Sequence, residues 1–164
     1  MAIKLERIGH CLLRVRDVAR SKKFYMDVLG FQLMEQDPEH GGVFMSLPGD
    51  GHTIDLFPIE QPETAEAVPA GRHRLGLGHI AFKVEHYPAL EEAYNTLQAH
   101  GVAVHRMIDH VSQRSIYFTD PDGNGLEIYY EYPNARELFQ QGRGDQDRPF
   151  TFDEPLPEWA AVSS

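Results

Sequence analysis

Cysteine is almost missing from this sequence: Cys11 stands alone among 164 residues. One thiol cannot close an internal disulfide, so a reducing compartment, the cytoplasm, is expected. No apolar run approaches the roughly 20 residues that a membrane span requires. The N-terminus also lacks the apolar stretch of a secretory signal peptide, and a soluble chain is the expectation. Basic residues are few beside acidic ones, 15 against 25, for a formal net charge of -10. With no basic stripe to displace counterions from phosphates, the sequence argues against nucleic acid as a partner. An anionic membrane surface is disfavoured on the same ground. What is present is ordinary for a globular domain: 41% hydrophobic and 24% charged residues, with length enough for one substantial core. Nine histidines are a compositional hint of metal or proton chemistry.

Periodicity divides the chain into two similar halves. In the first, "IGHCLLRV" at 8–15 alternates as a half-buried strand does, and Asp17 is placed to cap a helix over 18–29. Val18, Phe24, Tyr25, Val28 and Leu29 give that helix an apolar stripe, and Gly30 ends it. Strand-like runs follow at 31–37, 42–48 and 52–59, separated by Pro38, Gly41 with Gly42, and Gly49 to Gly51. Residues 60–77 are polar and rich in Pro, Ala and Gly, and read as a linker. The pattern then returns: a strand at 78–84, an amphipathic helix at 89–101 closed by Gly101, and strands at 102–108, 115–120 and 126–131.

Spacing supports an internal duplication. His10 to Gly30 is 20 residues and His79 to Gly101 is 22; His10 to Asp55 is 45 and His79 to Glu127 is 48. A histidine on each first strand and an acid on each last strand thus occupy equivalent places. The halves span about 6–59 and 78–131 of one domain, 1–164, and residues 132–164 form a C-terminal extension without a counterpart. Phe150, Phe152, Leu156 and Trp159 are its candidate anchors, which points to packing or a subunit contact.

The repeat, the histidine and acid spacing, "HCLLRVRDVARSKKFYMDVLGFQL", "GHIAFKV" and the signature "YFTDPDGNGLEIY" together resemble the vicinal oxygen chelate superfamily. That group contains glyoxalase I, bleomycin- and fosfomycin-resistance proteins and extradiol dioxygenases. The resemblance covers about residues 6–132, and is strongest to a single-domain extradiol dioxygenase. It implies an α+β fold of paired βαβββ modules forming an open, U-shaped cavity around one metal. By that resemblance His10, His79 and Glu127 are the metal ligands. Two imidazoles and one carboxylate leave coordination positions open, as in Fe(II) oxygenases, and the same donors suit Mn(II), Ni(II) or Zn(II). Glu127 lies between Leu126 and Ile128 in an apolar strand, where a buried carboxylate without a partner would be costly.

Two chemistries and one non-catalytic role are consistent with these residues. An extradiol enzyme opens a catechol with O2 beside its two hydroxyls, and needs an acid/base to manage the diol protons. His52 in "GHTIDLF", Tyr117 and His110 resemble the family's residues for that task. A glyoxalase I-like lyase or isomerase would instead take a fourth ligand from the last strand of the first half, where Asp55 stands. Strand parity is expected to separate the two, since residues three apart on a regular strand face opposite ways. The third possibility is a binding module of the bleomycin-resistance type, against which the three ligands count. A small aromatic diol with O2, and a homo-oligomer of dimer size or more, are the partners that the resemblance implies.

Overall fold

Local signals set the helices. Asp17 is extended, and its side chain accepts the Arg20 backbone N–H at 3.0 Å, capping α1 (Val18–Asp27). Ser21 and Tyr25, four apart on one face, are fully buried, and the chain leaves at Gly30, whose φ of +74° suits glycine. The helix is two residues shorter than its expected 18–29 span. In α2 (Tyr87–Ala99), Pro88 occupies the first turn, where an N–H would have no partner within the helix. Leu90 and Leu97 are buried two turns apart.

The computed structural model describes residues 3–4, 7–64, 76–141 and 146–157. It divides into two compact units, Met1–Pro69 and Ala70–Ser164. In the first, β1 (Cys11–Val15), β2 (Gln32–Gln36), β3 (Val43–Ser46) and β4 (Ile54–Pro58) form a sheet in the order β1-β4-β3-β2. Strands β1 and β4 are parallel and the remaining pairs antiparallel. In the second, β5 (Ile80–Val84), β6 (Arg106–Asp109), β7 (Gln113–Thr119) and β8 (Gly125–Glu131) repeat that wiring, with β5 parallel to β8. Here β9 (Arg148–Pro149) extends the β6 edge, so the order is β5-β8-β7-β6-β9. Each unit is therefore one βαβββ module, and the chain is α+β. The strand expected at 102–108 starts only at Arg106, because the Val102 N–H closes the end of α2 on the Leu97 carbonyl.

Alternation decides what each sheet buries. Leu13, Val15, Val43, Met45, Ile54 and Leu56 are buried in the first unit, where α1 packs on β4. The positions between them, Leu12, Phe44 and Asp55, are cross-strand partners on the other face. In the second unit Ile116, Phe118, Leu126, Ile128 and Tyr130 are buried, and α2 packs on β8 and β5. Tyr117 and Glu127 pair across the opposite face.

The C-terminal extension contributes α3 (Ala135–Gln141) and β9. Phe150 is buried, and Phe152 stacks among Tyr87, Tyr94 and Phe150. Leu156 is half-buried, whereas Trp159 and most of the 60–77 linker lie outside the described residues. No described helix is long and apolar enough to cross a membrane.

Candidate metal centre and acid–base pair

In the first unit, His10 immediately precedes β1, whose Leu12 is a cross-strand partner of Asp55. His10 Nε2 is 3.6 Å and His52 Nε2 3.8 Å from Asp55 Oδ2, and the two rings lie 4.4 Å apart. One donor atom from each of His10, His52 and Asp55 fits within a 4.8 Å cluster. Phe44 meets His52 edge-on at 5.9 Å. The expectation that His52 and Asp55 face opposite ways is overturned. Regular β4 begins at Ile54, so His52 belongs to the preceding turn and is not bound by strand parity.

In the second unit, His79 Nε2 sits 2.8 Å from Glu127 Oε2. Gln113 Nε2 donates to Glu127 Oε1 at 3.0 Å and to Ser115 Oγ at 3.0 Å. Tyr117 meets the His79 ring edge-on at 5.7 Å, and its hydroxyl is 2.8 Å from His110 Nε2. The Arg106 guanidinium lies 4.2 Å above the Tyr117 ring. Burial, followed by the Glu127 charge, pushes the Tyr117 phenol up to about 12, so it is a proton-bearing donor at neutral pH.

Turn chemistry fixes this register. Asp120 Oδ1 accepts the N–H groups of Asp122 and Asn124, both at 2.9 Å, and Gly123 takes φ +88°. The "DPDGNG" segment is thus the connection that puts Tyr117 opposite Glu127. Gly125 has a separate role: a Cβ there would come within 2.6 Å of the Gly78 carbonyl and 3.3 Å of His79 Cβ. Only glycine lets the chain carrying His79 run so close to β8.

Among the described residues, the three-donor set that fits a divalent cation is His10, His52 and Asp55 of the first unit, and the second unit brings together two such donors, His79 and Glu127. Asp55 and Glu127 are 4% exposed at the side chain, while His10 and His79 keep 47% and 42%, so donors lie at the accessible surface above buried acids. Asp55 Oδ1 is buried and has no hydrogen-bond partner among the described residues. Such an orphan costs about 1–3 kcal/mol, which a cation on that carboxylate would offset. The first unit also has a concavity lined by Leu12, Arg14 and Phe57, but none of the three clustered residues lines it. Gln113 and Gly125 escaped the sequence reading. The polar alternation Gln113, Ser115, Tyr117 was a usable signal for the first, and nothing in the sequence marks the second beyond its place after a turn.

The Glyoxalase/Bleomycin resistance protein/Dioxygenase superfamily matches residues 7–128. Catechol-2,3-dioxygenase from Bacillus subtilis (strain 168) is 33% identical over 136 residues, 83% of this chain and 45% of that protein. The chain thus spans about half the length of that relative. The uncharacterized protein YaeR of Escherichia coli (strain K12) is 33% identical over 137 residues, covering 76% of this chain and 96% of its own. Among solved structures, lactoylglutathione lyase from Agrobacterium tumefaciens aligns with TM-score 0.60 at 25% identity, over 77% of this chain and 95% of its own. Those names include one oxidative and one non-oxidative chemistry, so likeness alone gives a family and not a reaction. With the module wiring repeated in both units, this chain belongs to the glyoxalase, bleomycin-resistance and dioxygenase superfamily.

Proposed function

We propose that this protein is an Fe(II)-dependent extradiol dioxygenase that opens a catechol-type aromatic diol with O2, with His10, His79 and Glu127 as metal ligands. The observation that carries the reading is the 2.8 Å contact between His110 Nε2 and the Tyr117 hydroxyl, on a sheet face that also bears His79 and Glu127. Ring opening of a diol requires protons to leave the hydroxyls and to be returned as the ring breaks, and a neighbouring acid/base pair suits that need. When bound, Fe(II) would supply the electron transfer between diol and O2; Mn(II), Ni(II) and Zn(II) accept the same donors. Tyr117, protonated at neutral pH, can accept from a diol hydroxyl while its own proton is directed to His110, and His110 can take up and return that proton at Nε2. His52, beside Phe44, is the corresponding acid/base candidate of the first unit. The likeness to a catechol-2,3-dioxygenase supports the same substrate class.

The Asp55 geometry favours a second reading, a glyoxalase I-like lyase or isomerase in which that carboxylate is a fourth ligand. Asp55 is buried, has an orphaned oxygen and leans toward His10. Mutagenesis separates the two. Anaerobically purified protein reconstituted with Fe(II) is expected to convert a catechol into a yellow ring-opened product with matching O2 uptake. His10→Ala should lose the metal. His52→Ala and Tyr117→Phe should slow turnover about 100-fold, the scale of a lost acid/base, with metal content kept. Loss of metal in Asp55→Ala with a silent His52→Ala would establish the lyase-type site. Absence of bound iron, manganese, nickel or zinc after careful purification would leave only a metal-free binding protein.

A further inference from the structure

The C-terminal extension reaches the acid–base pair. In the β6–β9 ladder Ile108 pairs with Pro149 and Asp109 with Arg148. Continuing that antiparallel register puts Asp147 opposite His110, and Asp147 Oδ1 lies 2.9 Å from His110 Nδ1. The segment that follows Asp147 is held firmly. Arg148 reaches Asp109 Oδ2 at 3.4 Å and Glu154 Oε2 at 3.1 Å, and the Phe150 N–H bonds to the Met107 carbonyl at 3.3 Å. Arg114, wholly buried, donates to the carbonyls of Glu154 and Pro155 at 2.9 and 3.1 Å.

The other side of the contact is also constrained. Val111 has φ +70°, a left-handed value that costs a branched residue about 1–2 kcal/mol. It is kept there by a 2.9 Å hydrogen bond from its N–H to Asp109 Oδ1. A strained residue persists where its surroundings over-determine it, and this one sits next to His110. Both the histidine and the aspartate are therefore delivered to one another by fixed backbone.

An ionised carboxylate can only accept, so the Asp147 contact requires the His110 proton to be on Nδ1. In the neutral ring Nε2 is then an acceptor, and the 2.8 Å contact runs as a hydrogen bond from the Tyr117 hydroxyl to His110. We propose that Asp147 is a positioning residue that locks His110 in the Nδ1–H tautomer, with Nε2 turned to Tyr117, so that the C-terminal extension completes the acid–base machinery. The catalytic importance of this lock rests on the dioxygenase reading above; the lock itself does not.

The test is long-range 1H–15N correlation NMR on the full chain, labelled with 15N-histidine and loaded with Zn(II), at about pH 8, where histidine is largely neutral. His110 is assigned from the signals lost in His110→Gln. Wild-type protein should show His110 as the Nδ1–H tautomer. Asp147→Ala should shift it to a population dominated by Nε2–H, whereas Asp147→Asn, whose carbonyl still accepts, should keep Nδ1–H and guards against a misfolded alanine variant. In Fe(II)-loaded protein, Asp147→Ala should lower kcat for a catechol about tenfold, with KM within about twofold, and Asp147→Asn should recover most of it. An Nε2–H tautomer in wild type, or an unchanged tautomer in Asp147→Ala, overturns the proposal. Wild-type protein inert toward catechols would instead sink the dioxygenase reading and leave the tautomer result to decide the role of Asp147.

Discussion

Some of the decisive residues are small or paired, and their effect is set by what they touch. Gly125 is one. An added Cβ would lie 2.6 Å from a backbone oxygen, Gly78 O, so relief requires the main chain to move. Overpacking of this kind costs about 1–3 kcal/mol. The displaced chain carries His79, whose Cβ is only 3.3 Å from the new atom, so the change reaches a proposed ligand. Gly125→Ala should therefore lower the unfolding free energy by about that amount and weaken metal binding about tenfold or more. Denaturant unfolding and metal titration read the two effects separately. Gly51→Ala, with none of the described residues within 4 Å of the added atom, serves as the control and should leave metal affinity unchanged. Equal losses in both variants would show that the close approach beside His79 has no special role.

Elements with local causes were legible in the sequence, and those with distant causes were not. The α1 cap at Asp17, the helix-ending glycines and the "DPDGNG" turn act within a few residues, so both βαβββ modules could be read from period and punctuation. The placement of His52 could not, because parity holds only inside a regular strand and β4 starts two residues later. Neither could β9, since its partner lies about forty residues upstream on β6 and two residues give no periodicity. One buried residue that binds the extension to the module is Arg114, whose guanidinium also meets Asp109 at 3.2 Å, the Tyr87 hydroxyl at 2.7 Å and the Phe150 ring at 4.8 Å. Asp109 keeps Tyr132 and Arg148 as further partners, so removing Arg114 strips part of a network and not all of it. Arg114→Met should cost about 3 kcal/mol, the lower end for breaking a buried ion pair. It should also make the segment after residue 146 sensitive to limited proteolysis. Arg114→Lys should restore little, because one ammonium cannot reproduce a planar fork spread over four acceptors. Wild-type resistance of that segment in Arg114→Met would show that Phe150 and the β6 pairing hold it unaided.

At the scale of the whole chain, duplication has produced two acids that differ by one methylene, and their surroundings differ accordingly. Glu127 reaches His79 at 2.8 Å and is further held by Gln113, whereas Asp55 stops 3.6 Å from His10 with one oxygen orphaned. A cation bound by the native state alone must stabilise that state. At a free metal concentration 100 times Kd the gain is about 2.7 kcal/mol. For a chain of this length that corresponds to a rise in Tm of about 5–10 °C. Calorimetry of chelator-treated protein before and after Fe(II) or Zn(II) addition measures it. With His10, His79 and Glu127 as the ligands, His10→Ala and Glu127→Ala should each abolish the rise, although the two residues belong to different modules, and His52→Ala should retain it. If Glu127→Ala keeps the full rise while His52→Ala and Asp55→Ala lose it, the ion belongs to the His10, His52 and Asp55 cluster of the first module alone. The second module would then keep its His79–Glu127 pair as an acid–base device without metal, and the division of labour between the two copies would have to be redrawn from that point.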